Sequence, residues 1–366
     1  MKFTIFTGFY NYLETVDDLV NSILNQTHTD WEWIIWDDFS ENQEVSVKLQ
    51  EICKIDSRVK QAFPETKKQF YWNPPTNLAT GDVCLVQDSD DIMLPNLLKV
   101  YDYNFNKFQD VQLISCNSEL RTDNIHGILK SFRLINYKEV RNLKESIFDP
   151  TNEYSFGDSR AWRNNIELFT NENFIYCAED IIKELVCEKK GKLLFLPRTL
   201  SIYSWRNNSI SRTMDAGVYD ENKVILDTIG ADNENLETLE KYYDNIYDHA
   251  VCFYNLTVNH LNTSEKINYL CTDINDDVKD KLNCLFFDQE IKYNDENNYE
   301  FVVSKIKTKS DLDILKNYFY NYKITKELSI VCDISLKHEV FNFLESNNLM
   351  FYWFGLDNFF TIKINF

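Results

Sequence analysis

Residues 83–95 read Val83-Cys84-Leu85-Val86-Gln87-Asp88-Ser89-Asp90-Asp91-Ile92-Met93-Leu94-Pro95. An unbroken apolar run leads into three carboxylates within four positions, and a proline then opens a helical period. A short apolar run bounded by turn residues is the signature of a buried strand, and strands buried on both faces belong to parallel sheets covered by helices. Open α/β sheets hold their ligands at the carboxyl ends of such strands, where Asp88, Asp90 and Asp91 fall. Three neighbouring carboxylates repel one another at neutral pH unless a positive charge lies among them. A hard divalent cation, Mg²⁺ or Mn²⁺, answers that need with oxygen ligands. The alternative is a solvated acidic turn that caps the helix beginning near Pro95.

Working outward, residues 1 to about 120 alternate short apolar runs with helical periods, which predicts an α/β domain with a largely parallel sheet. The expected strands are Phe3–Thr7, Glu32–Trp36, Val59–Phe63, Val83–Gln87 and Val111–Cys116. One helix starts at Thr15 with acids in its first turn and Leu19, Ile23 and Leu24 on its apolar face; another spans roughly Pro95–Phe108. Further on, the pattern predicts a helix at Ala178–Glu188 and two strands, Leu193–Leu196 and Ser201–Trp205. A long helical segment follows at Leu236–Leu261. The last hundred residues have strands at Phe301–Ser304, Leu328–Cys332 and Phe360–Ile364, with helices at about 310–321 and 336–346. The expected organisation is a mostly parallel α/β domain over 1–215, a helical extension over 216–264, and a small α/β appendix over 265–366.

Composition narrows the ligand. The chain carries 58 acidic against 38 basic residues, a formal charge of −20 in 366 residues. That disfavours nucleic acid or an anionic membrane surface as the main partner. Only eight glycines are present, and they form neither a dinucleotide-binding fingerprint nor a Walker loop. A phosphate-bearing ligand is therefore not held in a glycine-rich backbone cradle. Nine scattered cysteines, with no C-x-x-C, read as reduced and buried, and no run is long enough to span a bilayer. The expectation is a soluble, cytoplasmic chain. The five histidines show no metal-ligand spacing.

Two further acidic pairs matter. Asp37-Asp38 follows the run Trp33-Ile34-Ile35-Trp36 and can accept hydrogen bonds from a base N–H and a ribose hydroxyl; the plainer reading is that Asp38 or Ser40 caps the next helix. Glu179-Asp180 opens a helix, where acids also complement the dipole. Trp162 and Trp205 offer rings that can stack on a sugar, although such residues more often pack in a core.

Order and spacing tie these pieces together. The chain carries Thr4-Ile5-Phe6-Thr7-Gly8-Phe9-Tyr10-Asn11, Ser22-Ile23-Leu24-Asn25-Gln26-Thr27, Trp36-Asp37-Asp38-Phe39-Ser40 and Gly81-Asp82 leading to Asp88-Ser89-Asp90-Asp91. Arg160-Ala161-Trp162-Arg163, Ala178-Glu179-Asp180, Gly191 with Leu196-Pro197, and Tyr203-Ser204-Trp205-Arg206-Asn207-Asn208-Ser209 follow. In this order they resemble the motifs of the family 2 inverting glycosyltransferases, which have the GT-A fold, over about residues 1–215.

The resemblance implies a UDP-linked sugar donor, a glycan acceptor, Mn²⁺ or Mg²⁺, and transfer of a hexosyl or N-acetylhexosaminyl group in polysaccharide biosynthesis. It implies that Asp38 binds uracil, Asp88 the ribose or the metal shell, and Asp90 the metal through a DXD-type motif. Thr7, Phe9 and Tyr10 would line the nucleotide site, and Asp180 would be the general base. Glu179, Trp162 and Trp205 would face the sugar and acceptor. Where the family has Arg-Asn before its glycine turn, this chain has Trp72-Asn73-Pro74-Pro75, so Lys67 or Lys68 is the candidate for the basic contact to the diphosphate. The late Y-R-x-H element is Tyr203-Ser204-Trp205-Arg206, which moves that contact to Arg206. Two other classes compete: a non-catalytic glycan- or nucleotide-binding module on the same fold, against which Asp90 and Asp180 argue, and a nucleotidyltransferase, whose glycine-rich basic loop is missing at Thr7–Asn11. The C-terminal region is the expected seat of acceptor binding, a partner, or homo-oligomer formation.

Overall fold

The computed structural model describes residues 1–67, 70, 74–124, 127–133, 158–165, 179–205, 246–253, 266–355 and 359–366, with the backbone alone for 119–133, 158, 179–182, 185, 205, 247–248, 251, 352–355 and 359. It divides into two compact units: Met1–Leu196 with Leu200–Tyr242, and Pro197–Thr199 with Tyr243–Phe366. Of the expected 216–264 extension only residues 246–253 are described, and they fall in the second unit. Of the expected helix 236–261, only residues 246–253 lie among the described residues, and they hold the helix Tyr247–Cys252.

In the first unit, β1 (Phe3–Phe9), α1 (Val16–Leu24), β2 (Trp31–Asp37), α2 (Gln43–Ile55), β3 (Val59–Gln61) and β4 (Val83–Val86) follow one another. The strands stand in the order β3-β2-β1-β4, and β1 pairs in parallel with both β2 and β4. Beyond β4 the sheet continues through β8 (Asp158–Arg163), β6 (Val111–Asn124), β9 (Lys192–Trp205) and β5 (Ile92–Met93), with β7 (Gly127–Arg133) on β6. Burial explains the sequence pattern. All of β1 and β2 except Gly8 and Asp37 is buried, the three tryptophans of β2 included, as expected for a sheet covered on both faces. Helix α1 covers the sheet with Val16, Leu19, Val20 and Ile23, the i, i+3, i+4, i+7 stripe of an amphipathic helix.

Three local expectations change. Residues 192–205 form one continuous strand rather than two, because Pro197 lies in the backbone of β9 without ending it. The helix after the acidic turn, α3, runs Leu97–Lys107, two residues later than Pro95. Thr15 precedes α1 but makes no side-chain cap; its hydroxyl turns to the carbonyl of Ser89 at 3.4 Å.

The second unit is a six-stranded sheet of order β11-β10-β12-β13-β15-β14. Its elements after α5 (Tyr247–Cys252) are β10 (Lys266–Leu270), α6 (Asp276–Leu285), β11 (Glu290–Tyr293), β12 (Tyr299–Ile306), α7 (Lys309–Asn321), β13 (Ile324–Asp333), α8 (Lys337–Ser346), β14 (Tyr352–Gly355) and β15 (Phe359–Asn365). The first four strands in this order are parallel and the last two antiparallel. One face packs α7 and α8 through Leu312, Leu315, Val340 and Leu344 onto Val302, Leu328 and Ile330. On the other, Phe253 meets Tyr269 and Phe286 at ring distances of 5.1 and 4.7 Å. A capping box of Thr308 and Asp311 starts α7.

Candidate functional site

In the first unit the connection from β1 runs to β2 on one side, while β4 pairs on the other side of β1, so the crevice where the strand order reverses opens at the carboxyl ends of β1 and β4. The turns that follow these strands carry Tyr10-Asn11 and Gln87-Asp88-Ser89-Asp90-Asp91. Asp37-Asp38 ends the neighbouring β2, and the backbone N–H of Asp38 donates to the carbonyl of Phe9 at 2.8 Å. Asp38 is nearly buried. Neither Asp38 nor Ser40 caps α2: the cap is Asn42, whose side chain accepts from the Glu44 N–H. Asp37 instead accepts from the Ser40 N–H at 2.9 Å, so the plainer reading of this pair does not hold.

Backbone strain marks the same edge. Asn11 and Phe39 have φ of 53° and 62°, a left-handed conformation rare for residues with a side chain. Side-chain bonds hold it. The Asn11 side-chain oxygen accepts from the N–H groups of Glu41 and Asn42 at 2.7 and 3.2 Å, and its own N–H donates to Ser40 Oγ at 2.9 Å. The β1 and β2 loops are therefore bolted together around Asp38. Strain retained by surrounding bonds is typical of ligand clamps. Asn11 has no separate role in the sequence reading, since a single Asn in a turn carries no sign of its long-range partners.

The acidic turn is a real group in space. Carboxylate oxygens of Asp88, Asp90 and Asp91 lie within 4.8 Å of one another. Asp88 is exposed, whereas Asp90 keeps 9% of its surface accessible. Strand β9 holds the turn: the Ser204 N–H donates to Asp91 Oδ1 at 2.7 Å and its hydroxyl to the carbonyl of Asp90. Asp91, given no separate role from sequence, thus belongs to the group. An all-oxygen set of this kind matches Mg²⁺ or Mn²⁺ and suits a softer metal poorly. Just before it, the Gln87 side-chain oxygen is buried with no hydrogen-bond partner among the described residues.

Lys67 reaches the same edge. Its ammonium donates to the Tyr10 hydroxyl at 2.9 Å and lies 4.2 Å from the ring centroid. That hydrogen bond, with the charges of Asp38 and Glu41, raises its pKa, so it stays charged. Lys68 and Arg206 lie outside the described residues.

Other expected residues stand elsewhere. Thr7 and Phe9 are fully buried, and the Thr7 hydroxyl accepts from the Trp33 indole at 3.0 Å. Their side chains serve the core, and only the backbone of β1 carries them to the site. Trp162 has no exposed surface and packs under the Lys183 ammonium at 5.5 Å, so it offers no stacking face to a sugar. Its β8 backbone pairs it with Cys84 and Leu113, deep between two strands. Glu179 and Asp180 occupy the first turn of α4 (Glu179–Glu188), and Trp205 ends β9; the side chains of all three lie outside the described residues. Arg160 has a positioning role: it pairs with the fully buried Glu184, tying α4 to β8.

The second unit holds another group that linear spacing concealed. His249 from α5, Cys271 after β10 and Asp273 place ligand-type atoms within 4.8 Å of one another. The Lys305 ammonium lies among them, 2.8 Å from Asp273 and 3.1 Å from His249 Nε2. Burial pushes the Asp273 carboxyl up, but bonds from Cys271 and Lys305 outweigh it and hold the carboxyl at about 2. The positive charge in this group is the protein's own.

An open α/β sheet with an acidic crevice at its switch point defines a ligand-binding domain of the nucleotide type. Residues 4–161 match the family model described as Glycosyl transferase family 2. This segment of the chain is therefore a family 2 glycosyltransferase domain, and it contains Asp38 and the three-aspartate turn. The O-antigen biosynthesis glycosyltransferase WbnJ of Escherichia coli is 26% identical over 142 residues, 38% of this chain and 55% of that protein. The uncharacterized glycosyltransferase alr2836 of Nostoc sp. is 33% identical over 102 residues, 27% of this chain and 31% of that protein. The match thus spans about a third to a half of these relatives. Among solved structures, S. aureus TarS 1–349 in complex with UDP superposes with a TM-score of 0.46 at 16% identity, covering 69% of this chain and 71% of that one. The mannosyltransferase PcManGT of Pyrobaculum calidifontis, in complex with GDP-Man and Mn²⁺, gives 0.46 at 13% identity, covering 70% and 73%. The fold assignment rests on strand order and the family match rather than on these superpositions. No helix among the described residues is long and apolar enough to cross a membrane.

Proposed function

We propose that the chain is a metal-dependent inverting glycosyltransferase that moves a sugar from a nucleotide donor, UDP-linked, to a glycan hydroxyl. The observation that carries this reading is the convergence of Asp88, Asp90 and Asp91 at the switch point of a family 2 domain, beside the nearly buried Asp38. Asp38 accepts the N–H of the base, as its place against the β1 turn permits. Asp88 and Asp90 hold Mn²⁺ or Mg²⁺, with Asp91 braced by Ser204. A divalent ion there supplies Lewis-acid stabilisation of the departing diphosphate. Lys67, charged and beside Tyr10, adds a second positive contact.

As the bond to the leaving group breaks, the anomeric carbon becomes oxocarbenium-like. Asp180, at the head of α4, takes the proton of the attacking hydroxyl, a role that contributes typically about 10²–10⁴-fold. Arg160 and Glu184 keep that helix in register with the sheet. One base and one displacement invert the anomeric configuration.

The test is nucleotide release from a panel of UDP- and GDP-sugars by the full chain with and without Mn²⁺. Release should need the ion and should fall with Asp180→Asn while nucleotide affinity persists. Product NMR should show the opposite anomeric configuration to the donor. No release from any donor, together with an Asp90→Asn variant that binds UDP and Mn²⁺ as the native chain does, favours the non-catalytic binding module.

A further inference from the structure

The second unit contains a crossover of unusual length. Strands β11 and β12 are both parallel to β10 and lie on either side of it, yet residues 294–298 alone connect them. Parallel strands are ordinarily joined by a dozen or more residues, usually a helix that lies over the sheet. Here a short loop takes that place, and beside it, along the flank of α7, runs a groove of about 510 Å³. Leu270 forms part of its wall, as do Asp295 and Glu296 on the crossover side and Asp313 and Asn317 on the helix side.

The crossover wall is rigidly held. Asn294 has φ of 50°, and its side chain bonds both backbone groups of Cys271, accepting at 3.0 Å and donating at 2.8 Å. The next residue repeats the device: the backbone N–H and carbonyl of Asp295 pair with the Asn268 side chain at 3.0 and 2.9 Å. Two asparagines of opposite origin, one in the loop and one in the strand, thus clamp the loop to β10. At the far end Tyr322 is half-buried and stacks on Tyr318, with centroids 5.1 Å apart and planes 30° from parallel. Burial and the charge of Glu296 raise the pKa of its hydroxyl.

The lining selects the occupant. Among the described residues it includes three carboxylates and no lysine or arginine, so a phosphate or carboxylate ligand would meet like charge. A docked helix would need an unbroken apolar stripe opposite it, whereas the α7 positions that face the groove intersperse Ile314 and Tyr318 with the polar Ser310, Asp313 and Asn317. Carboxylates and a side-chain amide instead accept hydrogen bonds from hydroxyls, while an aromatic ring offers an apolar face to a ring of C–H groups. We propose that this groove binds a neutral saccharide unit. The choice of a saccharide over other neutral polyols rests on the glycosyltransferase reading, under which this chain handles a glycan.

Saturation-transfer NMR on the full chain tests the site, with maltose, N,N′-diacetylchitobiose and the anionic digalacturonate as probes. At least one neutral disaccharide should receive saturation and digalacturonate should not. Tyr322→Ala should weaken that binding about tenfold, the scale of one lost aromatic contact. Asp313→Ala, on an exposed position, should weaken it several-fold and leave the melting temperature unchanged, which separates a binding defect from a folding one. Binding of UDP with Mn²⁺ should be the same in both variants. If neither neutral disaccharide binds, if digalacturonate binds equally, or if both variants retain full saccharide binding, the groove is not a saccharide site. Nucleotide release, measured on the same preparations, reports separately on the glycosyltransferase reading.

Discussion

At the end of β4 in the first unit, Asp88, Asp90 and Asp91 gather their oxygens within 4.8 Å; at the end of β10 in the second, Asp273 is met by the Lys305 ammonium at 2.8 Å, with His249 Nε2 3.1 Å from the same ammonium. Both groups stand at the switch point of a parallel sheet, where side chains from non-adjacent segments converge. They differ in donor chemistry. The first is a hard oxygen set suited to an exchangeable divalent ion. The second mixes imidazole, thiol and carboxylate around a cation that is covalently part of the chain.

The largest effect that would break this comparison lies in the first unit. Asp90→Asn, like removal of the divalent ion with EDTA, should lower nucleotide release about 10²–10³-fold, the scale of losing one stabiliser of developing charge. A rate unaffected by EDTA would place the acidic turn in the bland class. Next in size is Glu32, a buried residue of β2 beside Thr4 of β1, paired with Lys60 at 2.8 Å. Burial pushes its carboxyl up, but bonds from Lys60, Thr80 and Thr4 outweigh it and bring it from 4.5 to about 2. A carboxyl lowered on folding stabilises the folded state above its unfolded pKa and loses that contribution as pH falls toward the folded value. Glu32→Gln should therefore cost about 1–3 kcal/mol in urea unfolding at neutral pH, and the gap to the native chain should close between pH about 4.5 and 2.

In the second unit, Lys305→Met should cost about 1–2 kcal/mol, less than a fully buried pair because Asp273 is half exposed. The same substitution sharpens the comparison. Without its ammonium, the His249, Cys271 and Asp273 set should take up Zn²⁺, about one ion per chain by mass spectrometry, where the native chain takes far less. Failure of the variant to bind zinc would mean that Lys305 is not what fills the group. The smallest effect belongs to Lys67→Met: an exposed cation beside Tyr10 should change UDP affinity only a few-fold, measured by calorimetry at low salt, and less as salt rises.

How much of this was legible depended on the range of the interaction. The strands β1, β2 and β4 were readable because each is a short, mostly apolar run that the sheet buries. Trp162 was misjudged for the opposite reason: a tryptophan reads alike whether its face is open or sealed, and only its pairing with β4 and β6 buries it. Gly81 and Gly191 are held to glycine by close approach, which no local signal shows. A Cβ at Gly81 would stand 2.7 Å from the Thr4 backbone nitrogen, and one at Gly191 would overlap the Asp110 carbonyl. Elements β10, α6 and β11 escaped notice because a four- or five-residue strand carries too little periodicity to stand out from an Asp- and Asn-rich background.

The sequence by itself determined the places of β1, β2, β3 and β4 and the start of β6 over residues 1 to about 120, the acidic turn after Val83–Val86, and the absence of a glycine cradle, because these are set by local composition and spacing. Tertiary structure alone decided which acids meet, that Asn11 locks the β1 loop to the β2 loop, that Thr7 and Phe9 face inward, and that Lys305 enters the His249 group. Those outcomes depend on contacts across tens to more than a hundred residues, such as the bond from Ser204 to Asp91. Local sequence constrains backbone conformation over a few residues, whereas the environment of a charge is made by whatever the folded chain brings beside it.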